Sequence, residues 1–326
     1  MRQWSRAAVT KGLAGSMLLL AGGCGVANTP TASPNLNDWA YPFVPPAKAL
    51  AADTTTPLHV GGSTQHYTQA QTRDPLHAVD WFPDEHSAMP RPVATGRAPG
   101  AMACGFCHLP SGNGRPENAP LAGLQADYIV AQVKAFRDGS RRSAGSNMFM
   151  VHEAQAVTDE EAAEAATYFA GLKHQSFLRV VETDTIPHVE IRALVWAKAS
   201  GGGTEKLGDR LIEVPDDWQR FERRDPHVTY TAYVPPGSIA RGAKLAASWG
   251  EGGSKACSVC HGDDLRGGPL APPIAGRSPS YLIRQLNDIK TAHRLDPGVS
   301  PMQQVAHDMT PGDMIALAAF VASRKP

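Results

Sequence analysis

The sequence predicts a mainly α-helical chain: two small helical domains, a small β-rich insertion between them and an irregular N-terminal extension. Three observations carry this expectation. A five-residue motif, Cys104-Gly105-Phe106-Cys107-His108, recurs as Cys257-Ser258-Val259-Cys260-His261. The residues downstream of both copies repeat in register, with helical spacing. Between the copies, residues 175–237 change to strand-like alternation and apolar runs.

Cys-x-x-Cys-His is the attachment pattern of a c-type haem. Each thiol adds across one porphyrin vinyl group, and a two-residue gap on one helical turn sets the sulfurs about a vinyl-to-vinyl distance apart. The histidine that follows lands under the iron as proximal ligand. This assigns Cys104, Cys107, Cys257 and Cys260 to two covalent haem c groups, with His108 and His261 on the irons. The competing readings are a four-cysteine zinc site or disulfides. Both pairs carry the trailing histidine and each heads a longer repeat, which favours haem.

The 326 residues leave room for two domains and more. Lys and Arg balance Asp and Glu at 31 each, so the net charge is zero and no basic surface recommends a nucleic-acid partner. Of five cysteines, four lie in the motifs and the fifth is Cys24, which leaves none for a disulfide framework.

The first residues read as an export signal. Arg2, Arg6 and Lys11 precede an apolar run from Leu13 to Gly23 that is too short for a typical spanning helix. The run ends Leu18-Leu19-Leu20-Ala21-Gly22-Gly23-Cys24, which resembles a bacterial lipoprotein box, although Ala21 holds the place usually taken by Leu. Residues 1–24 are thus expected to act as a lipoprotein signal, with lipid on Cys24 as an anchor. Gly25 rather than Asp after Cys24 points to the outer membrane. The expected location is the bacterial cell envelope, facing the periplasm. Residues 25–90 read first as a flexible tether and, from Leu58, as irregular chain packed on the first helical domain. Its His59, His66, His77 and His86 show no metal-ligand spacing and read as surface or hydrogen-bonded histidines.

The internal repeat defines the two domains, residues 91–174 and 238–326. Sixteen residues past the first Cys of each motif comes Pro120-Leu121-Ala122-Gly123 or Pro273-Ile274-Ala275-Gly276. The turns at Ala119-Pro120 and Pro272-Pro273 are expected to offer the carbonyls that receive the second N–H of each proximal imidazole. A helix follows, on which Tyr128, Ile129, Gln132, Val133 and Phe136 match Tyr281, Leu282, Gln285, Leu286 and Ile289. Thr158-Asp159-Glu160-Glu161 caps a closing helix, and Thr310-Pro311-Gly312-Asp313 is its counterpart. Eight residues before each cap threonine stands a methionine, Met150 and Met302. The shared register selects both as distal iron ligands. Met148 and His152 compete at the first site, and His293, His307 and Met309 at the second.

Each repeat resembles a small class I cytochrome c domain, and the pair resembles the two-domain di-haem cytochromes c of bacterial envelopes. The resemblance covers about residues 91–174 and 238–326. It implies covalent haem c, His/Met ligation, one-electron transfer and haems close enough to exchange electrons. The first domain departs from the pattern in its short lead-in from Gly96 to Cys104, which suggests a truncated opening helix.

In the insertion, 175–237, strands are expected at Arg179–Thr183, Val189–Trp196, Leu211–Val214 and Tyr230–Val234, with Gly201-Gly202-Gly203 as a hairpin loop. The insertion reads as a cover for haem edges or as a docking surface for a redox partner. Functionally, closed six-coordinate irons suit an electron carrier rather than an enzyme. Its partners would be envelope redox proteins: a dehydrogenase, an oxidase or another cytochrome. The alternatives are a di-haem enzyme of peroxidase or thiosulfate-oxidising type with one open iron, using His152 and Glu153 as acid/base groups, and a cytochrome subunit of a dehydrogenase complex.

Overall fold

The computed structural model describes residues 35–45, 51–145, 149–250, 253 and 256–326. The signal segment, Cys24 and the competing ligand Met148 lie outside these residues. In chain order the elements before the insertion are α1 (Leu36–Ala40), α2 (Gln69–Thr72), α3 (Arg91–Ala94), α4 (Cys104–His108), α5 (Ala126–Asp138), α6 (Phe149–Ala156) and α7 (Asp159–Ala170). The insertion holds β1 (Leu178–Glu182), β2 (Thr185–Pro187), β3 (Val189–Arg192), β4 (Val195–Lys198), β5 (Thr204–Lys206), β6 (Ile212–Pro215), α8 (Trp218–Glu222) and β7 (Tyr230–Val234). The second helical part contains α9 (Ser238–Ser248), α10 (Cys257–His261), α11 (Pro279–Lys290), α12 (Ser300–Ala306) and α13 (Pro311–Ala322). The mainly helical expectation holds, with the strands confined to the insertion.

The two helical parts are built alike. Thr158 and Thr310 both close capping boxes, with Glu161 and Asp313 as the reciprocal side chains. Ser278 caps α11 through the Tyr281 N–H. Gly123 and Gly276 adopt left-handed backbone (φ 71° and 69°). Their N–H groups donate to Phe169 and Val321 of the closing helices, each at 3.0 Å. The opening helices differ. α9 runs eleven residues and crosses α13 so closely that a Cβ on Gly242 would collide with the Ala316 carbonyl. In the first part the four-residue α3 takes the place of such an opening helix and packs on α7, as the short lead-in foretells.

The insertion departs from its expected pattern in two places. The stretch from Val189 to Trp196 is not one strand: it folds back at Ala193 (φ 55°) into an antiparallel pair, β3 with β4. The glycine tract is not a hairpin tip. β2 pairs with β5, and His188 N–H bonds the Gly203 carbonyl at 3.0 Å, so the tract bulges from the returning arm of one long hairpin. β1, β7 and β6 form a separate three-stranded sheet in which β1 and β7 run parallel.

The expected tether is also corrected at its start. Leu36, Trp39 and Ala40 of α1 are spaced i, i+3, i+4 and bury that face in the core of the second helical part, beside Ile283 and Ile212. From Leu58 onward Val60, Val79 and Trp81 form their own cluster, and Ala103 N–H bonds the Pro75 carbonyl at 2.9 Å.

Candidate functional site

Both cysteine motifs occupy single short helices. α4 is held from behind by close packing at Gly105, where a Cβ would lie 2.8 Å from the Val93 carbonyl oxygen and 2.9 Å from the Ala78 side chain. His108 Nδ1 bonds the Ala119 carbonyl at 2.8 Å, and His261 Nδ1 bonds the Pro272 carbonyl at 2.7 Å. These are the two turns the repeat pointed to. A carbonyl only accepts, so Nδ1 carries the proton in each ring and Nε2 keeps its lone pair. Burial pushes both imidazoles below their ordinary pKa, and the carbonyl bonds work against that shift. Both rings are therefore neutral, oriented and ready to ligate through Nε2. Burial also pushes the Cys104 thiol up to about 12, with Glu153 adding, and raises Cys107 and Cys257.

The carbonyl turns are reproduced bond for bond. Gly114 N–H reaches the His108 carbonyl at 3.1 Å, and Gly267 N–H reaches that of His261 at 2.8 Å. The N–H groups of Leu121 and Ala122 converge on Gly112, and those of Ile274 and Ala275 on Leu265. Among the described residues no group of three or more His, Cys, Asp or Glu side chains gathers to hold a metal ion, and the cysteine pairs stay on separate helices.

A cavity of about 350 Å³ opens beside the first motif, within the range of roughly 300–1,000 Å³ that cofactor sites occupy. Cys107, His108 and Met150 share its wall with the apolar Leu121, Leu124, Ile129, Val133 and Phe136. Tyr128 and Tyr281 also line it, and so does Met102, a thioether the repeat register did not flag. His152, the competing ligand, is exposed. Glu153 accepts the Met102 N–H at 3.1 Å. At the second motif, Met302 and Cys257 pack on the same apolar cluster, with Trp249, Leu282 and Leu286. Of the competitors there, His307 is exposed and pairs with Asp308 at 2.7 Å, and His293 bonds Thr291 at 2.8 Å. Met309 is buried in the core.

A polar network joins the two helical parts at the rim of the cavity, and sequence reasoning missed it. Arg141 donates to Gln132 at 2.6 Å and to Gln285 at 2.8 Å. Arg294 donates to Gln285 and to Gln132, each at 3.0 Å. Gln132 and Gln285 are repeat equivalents, as are Arg141 and Arg294, so the network is close to symmetric. Asp296 breaks the symmetry: it pairs with Arg294, whereas none of the hydrogen-bond partners of Arg141 is a carboxylate. A buried guanidinium without an acid partner fits a ligand that brings carboxylates. A haem carries two, and the cavity, the thiols, the neutral imidazole and this arginine together fit it. Gln132 and Gln285 on an otherwise apolar helix face were the available signal.

The insertion reaches the first motif through Arg224, whose left-handed backbone (φ 58°) aims the guanidinium at α4. Arg224 donates to the Thr72 carbonyl at 2.9 Å and to the Phe106 carbonyl at 2.6 Å, and sits 3.5 Å over the Phe106 ring. At the second motif Val259, the repeat equivalent of Phe106, is 60% exposed, and Leu270, between Gly267 and Pro272 of the second carbonyl turn, is 78% exposed.

The histidines of the extension are hydrogen-bonded or in edge-to-face ring contact, with His77 on Asp74 at 2.7 Å, His86 on Asp80 at 3.1 Å, and His59 against His66. No helix among the described residues is long and apolar enough to cross a membrane.

Comparison with known proteins gives three kinds of match. The cytochrome c family model matches residues 239–325. Cytochrome c-554(548) of Halomonas halodenitrificans is 37% identical over 68 residues, 21% of this chain and 81% of that protein. The thiosulfate dehydrogenase electron acceptor of Stutzerimonas stutzeri is 28% identical over 232 residues, 70% of this chain and 82% of that protein. Among solved structures, reduced recombinant cytochrome c4 from Pseudomonas stutzeri superposes with a TM-score of 0.44 at 20% identity, covering 68% of this chain and 93% of that one.

Proposed function

Because the chain belongs to the cytochrome c family and carries haem c at two Cys-x-x-Cys-His sites, we propose that it is a di-haem electron carrier of the bacterial envelope, with His108 and Met150 ligating one iron and His261 and Met302 the other. The observation that carries this reading is the pair of matching imidazole–carbonyl bonds, His108 to Ala119 and His261 to Pro272. Two sites with the same imidazole support suit one-electron relay.

When bound, haem c supplies a one-electron iron couple. The chain's own residues do the rest. Cys104 and Cys107, and Cys257 and Cys260, tether the group at two points each. The carbonyl bonds hold both imidazoles in one tautomer and one orientation. Met150 lines the wall shared with His108, and a thioether there favours the reduced state. Leu121, Ile129 and Val133 give the first site an apolar wall, and Arg141 on the same cavity would receive the carboxylates of the group. Arg224 covers the first motif, which supports the cover reading of the insertion over the docking reading. The bare surface at Val259 and Leu270 then makes the second motif the contact point for redox proteins.

A dehydrogenase is the favoured donor, since the relative overlapped over 82% of its length is named for accepting electrons from thiosulfate dehydrogenase. Cys24 would anchor the carrier by lipid on the periplasmic side, with the outer membrane favoured.

Optical spectra of the purified protein, oxidised and reduced, with and without carbon monoxide, test the carrier reading. Two methionine-to-iron charge-transfer contributions and no carbon monoxide shift are expected. Carbon monoxide binding at one haem would overturn it in favour of an enzyme with an open iron. Palmitate labelling that disappears in Cys24→Ala tests the anchor.

A further inference from the structure

Arg277 follows Gly276 at the end of the second carbonyl turn, and its guanidinium reaches into both repeats. Nε donates to the Pro273 carbonyl at 2.7 Å in its own repeat. Nη1 donates to the Pro120 carbonyl at 2.6 Å and Nη2 to the Ala122 carbonyl at 3.1 Å in the other. Pro120 and Pro273 stand one residue past Ala119 and Pro272, whose carbonyls hold the two imidazoles. The side chain is 3% exposed, and all three acceptors are backbone carbonyls. Burial of the charge pulls its pKa down to about 10, a sign of what the fold tolerates to keep it there.

Only arginine suits this place. Its planar fork of N–H donors spans carbonyls from two separate turns, whereas lysine presents a single point charge. The repeat does not supply a second copy: the equivalent position in the first half is Leu124. One side chain therefore serves both sites.

We propose that Arg277 is a positioning residue for electron transfer: it clamps the two imidazole-holding turns to each other and sets a shared positive charge behind both, so that the two haem potentials are raised together. This rests on the reading of His108 and His261 as proximal ligands. The sign follows from electrostatics. Each iron centre gains one positive charge on oxidation, and a fixed cation nearby in a poorly solvated interior disfavours that gain. The coupling follows from geometry, because the same guanidinium touches both turns.

The test uses the purified, haem-loaded protein and its variants Arg277→Met and Arg277→Lys. Spectroelectrochemical titration gives the two midpoint potentials, and proton NMR of the oxidised protein gives the hyperfine-shifted haem methyl signals, which report imidazole orientation. Arg277→Met should lower both midpoints and move the methyl signals of both haems. Arg277→Lys should lower the midpoints less, because charge remains, yet move the methyl signals as Arg277→Met does, because the fork is lost. Unmoved potentials, or a shift confined to the second haem, would overturn the proposal. If Arg277→Met fails to take up haem, Arg277→Lys decides the matter through the methyl signals: both haems moved supports the clamp, one haem moved overturns it. Wild-type spectra lacking histidine ligand signals would remove the premise itself, which is distinguishable from unmoved variants in a wild type that has them.

Discussion

Arg141 of the first repeat donates to Gln285 of the second at 2.8 Å, across an interface where its repeat equivalent Arg294 bonds Gln132 at 3.0 Å. Exchange of partners between equivalent residues makes each half complete the polar face of the other. Hydrogen bonds from a charged donor contribute about 1.5–3 kcal/mol each, and they do not add fully within one network. Arg141→Met is expected to lower the stability of the haem-loaded protein by about 2–4 kcal/mol. Guanidinium-induced unfolding followed by circular dichroism checks this, and a change within experimental error would show the network to be dispensable.

In the second half α9 and α13 approach closely at Gly242, where any Cβ runs into the Ala316 carbonyl and lies 2.7 Å from the Phe320 Cβ. Backbone does not yield as a flexible side chain would. Gly242→Val should force α9 away from α13 and cost roughly 1–3 kcal/mol or more. Thermal unfolding of the two proteins side by side measures it.

His174 gives the fold an acid-sensitive point. Burial, helped by Arg277, lowers its pKa from 6.5 to about 4, and Nε2 bonds the Gly276 carbonyl at 3.4 Å. As pH falls through 6.5 the unfolded chain binds a proton that the folded chain refuses until about 4. Stability is thus lost between these values and this contribution is flat above and below them. In urea titrations from pH 7 to pH 4 the slope of stability against pH should be smaller in His174→Gln by up to one proton.

Each proposed methionine ligand has a separable signature. Met150→Ala and Met302→Ala should each remove about half of the sulfur-to-iron charge-transfer absorption and open one haem to carbon monoxide. The midpoint potential of the affected haem should fall. Full charge-transfer absorption in Met150→Ala would transfer the ligand role to another thioether, and Met102, on the wall of the same cavity, is the first to examine.

Asymmetry in cover predicts where partners bind. Val259 is 60% exposed, and its equivalent Phe106 lies under Arg224. Val259→Glu should leave both spectra and potentials in place and slow reduction by a redox partner roughly tenfold, since a charge in the apolar centre of a contact is costly. Stopped-flow kinetics with a purified thiosulfate dehydrogenase and thiosulfate provide the measurement. An unchanged rate would move the contact surface elsewhere.

Much of the site could be read from sequence because it is local. Cysteine spacing, the following histidine and the proline turn all lie within nineteen residues of one another in each repeat, from Cys104 to Ala122 and from Cys257 to Ala275. Caps at Thr158, Ser278 and Thr310 depend on side chains within three residues, so they were legible too. Tertiary structure decided what depends on distant partners. Gln132 meets Arg141 only nine residues on, but its other partners, Arg294 and Asp296, stand 162 and 164 residues away. The fold-back at Ala193, the parallel pairing of β1 with β7 and the burial of α1 in the second core follow the same logic. Alternation and apolar spacing state that a face is buried, but the partner is chosen by packing between segments far apart in the chain. The bridge from Arg277 to Pro120 is the clearest case, since a lone arginine after a glycine has no sequence pattern, and only the meeting of the two turns makes it a shared support.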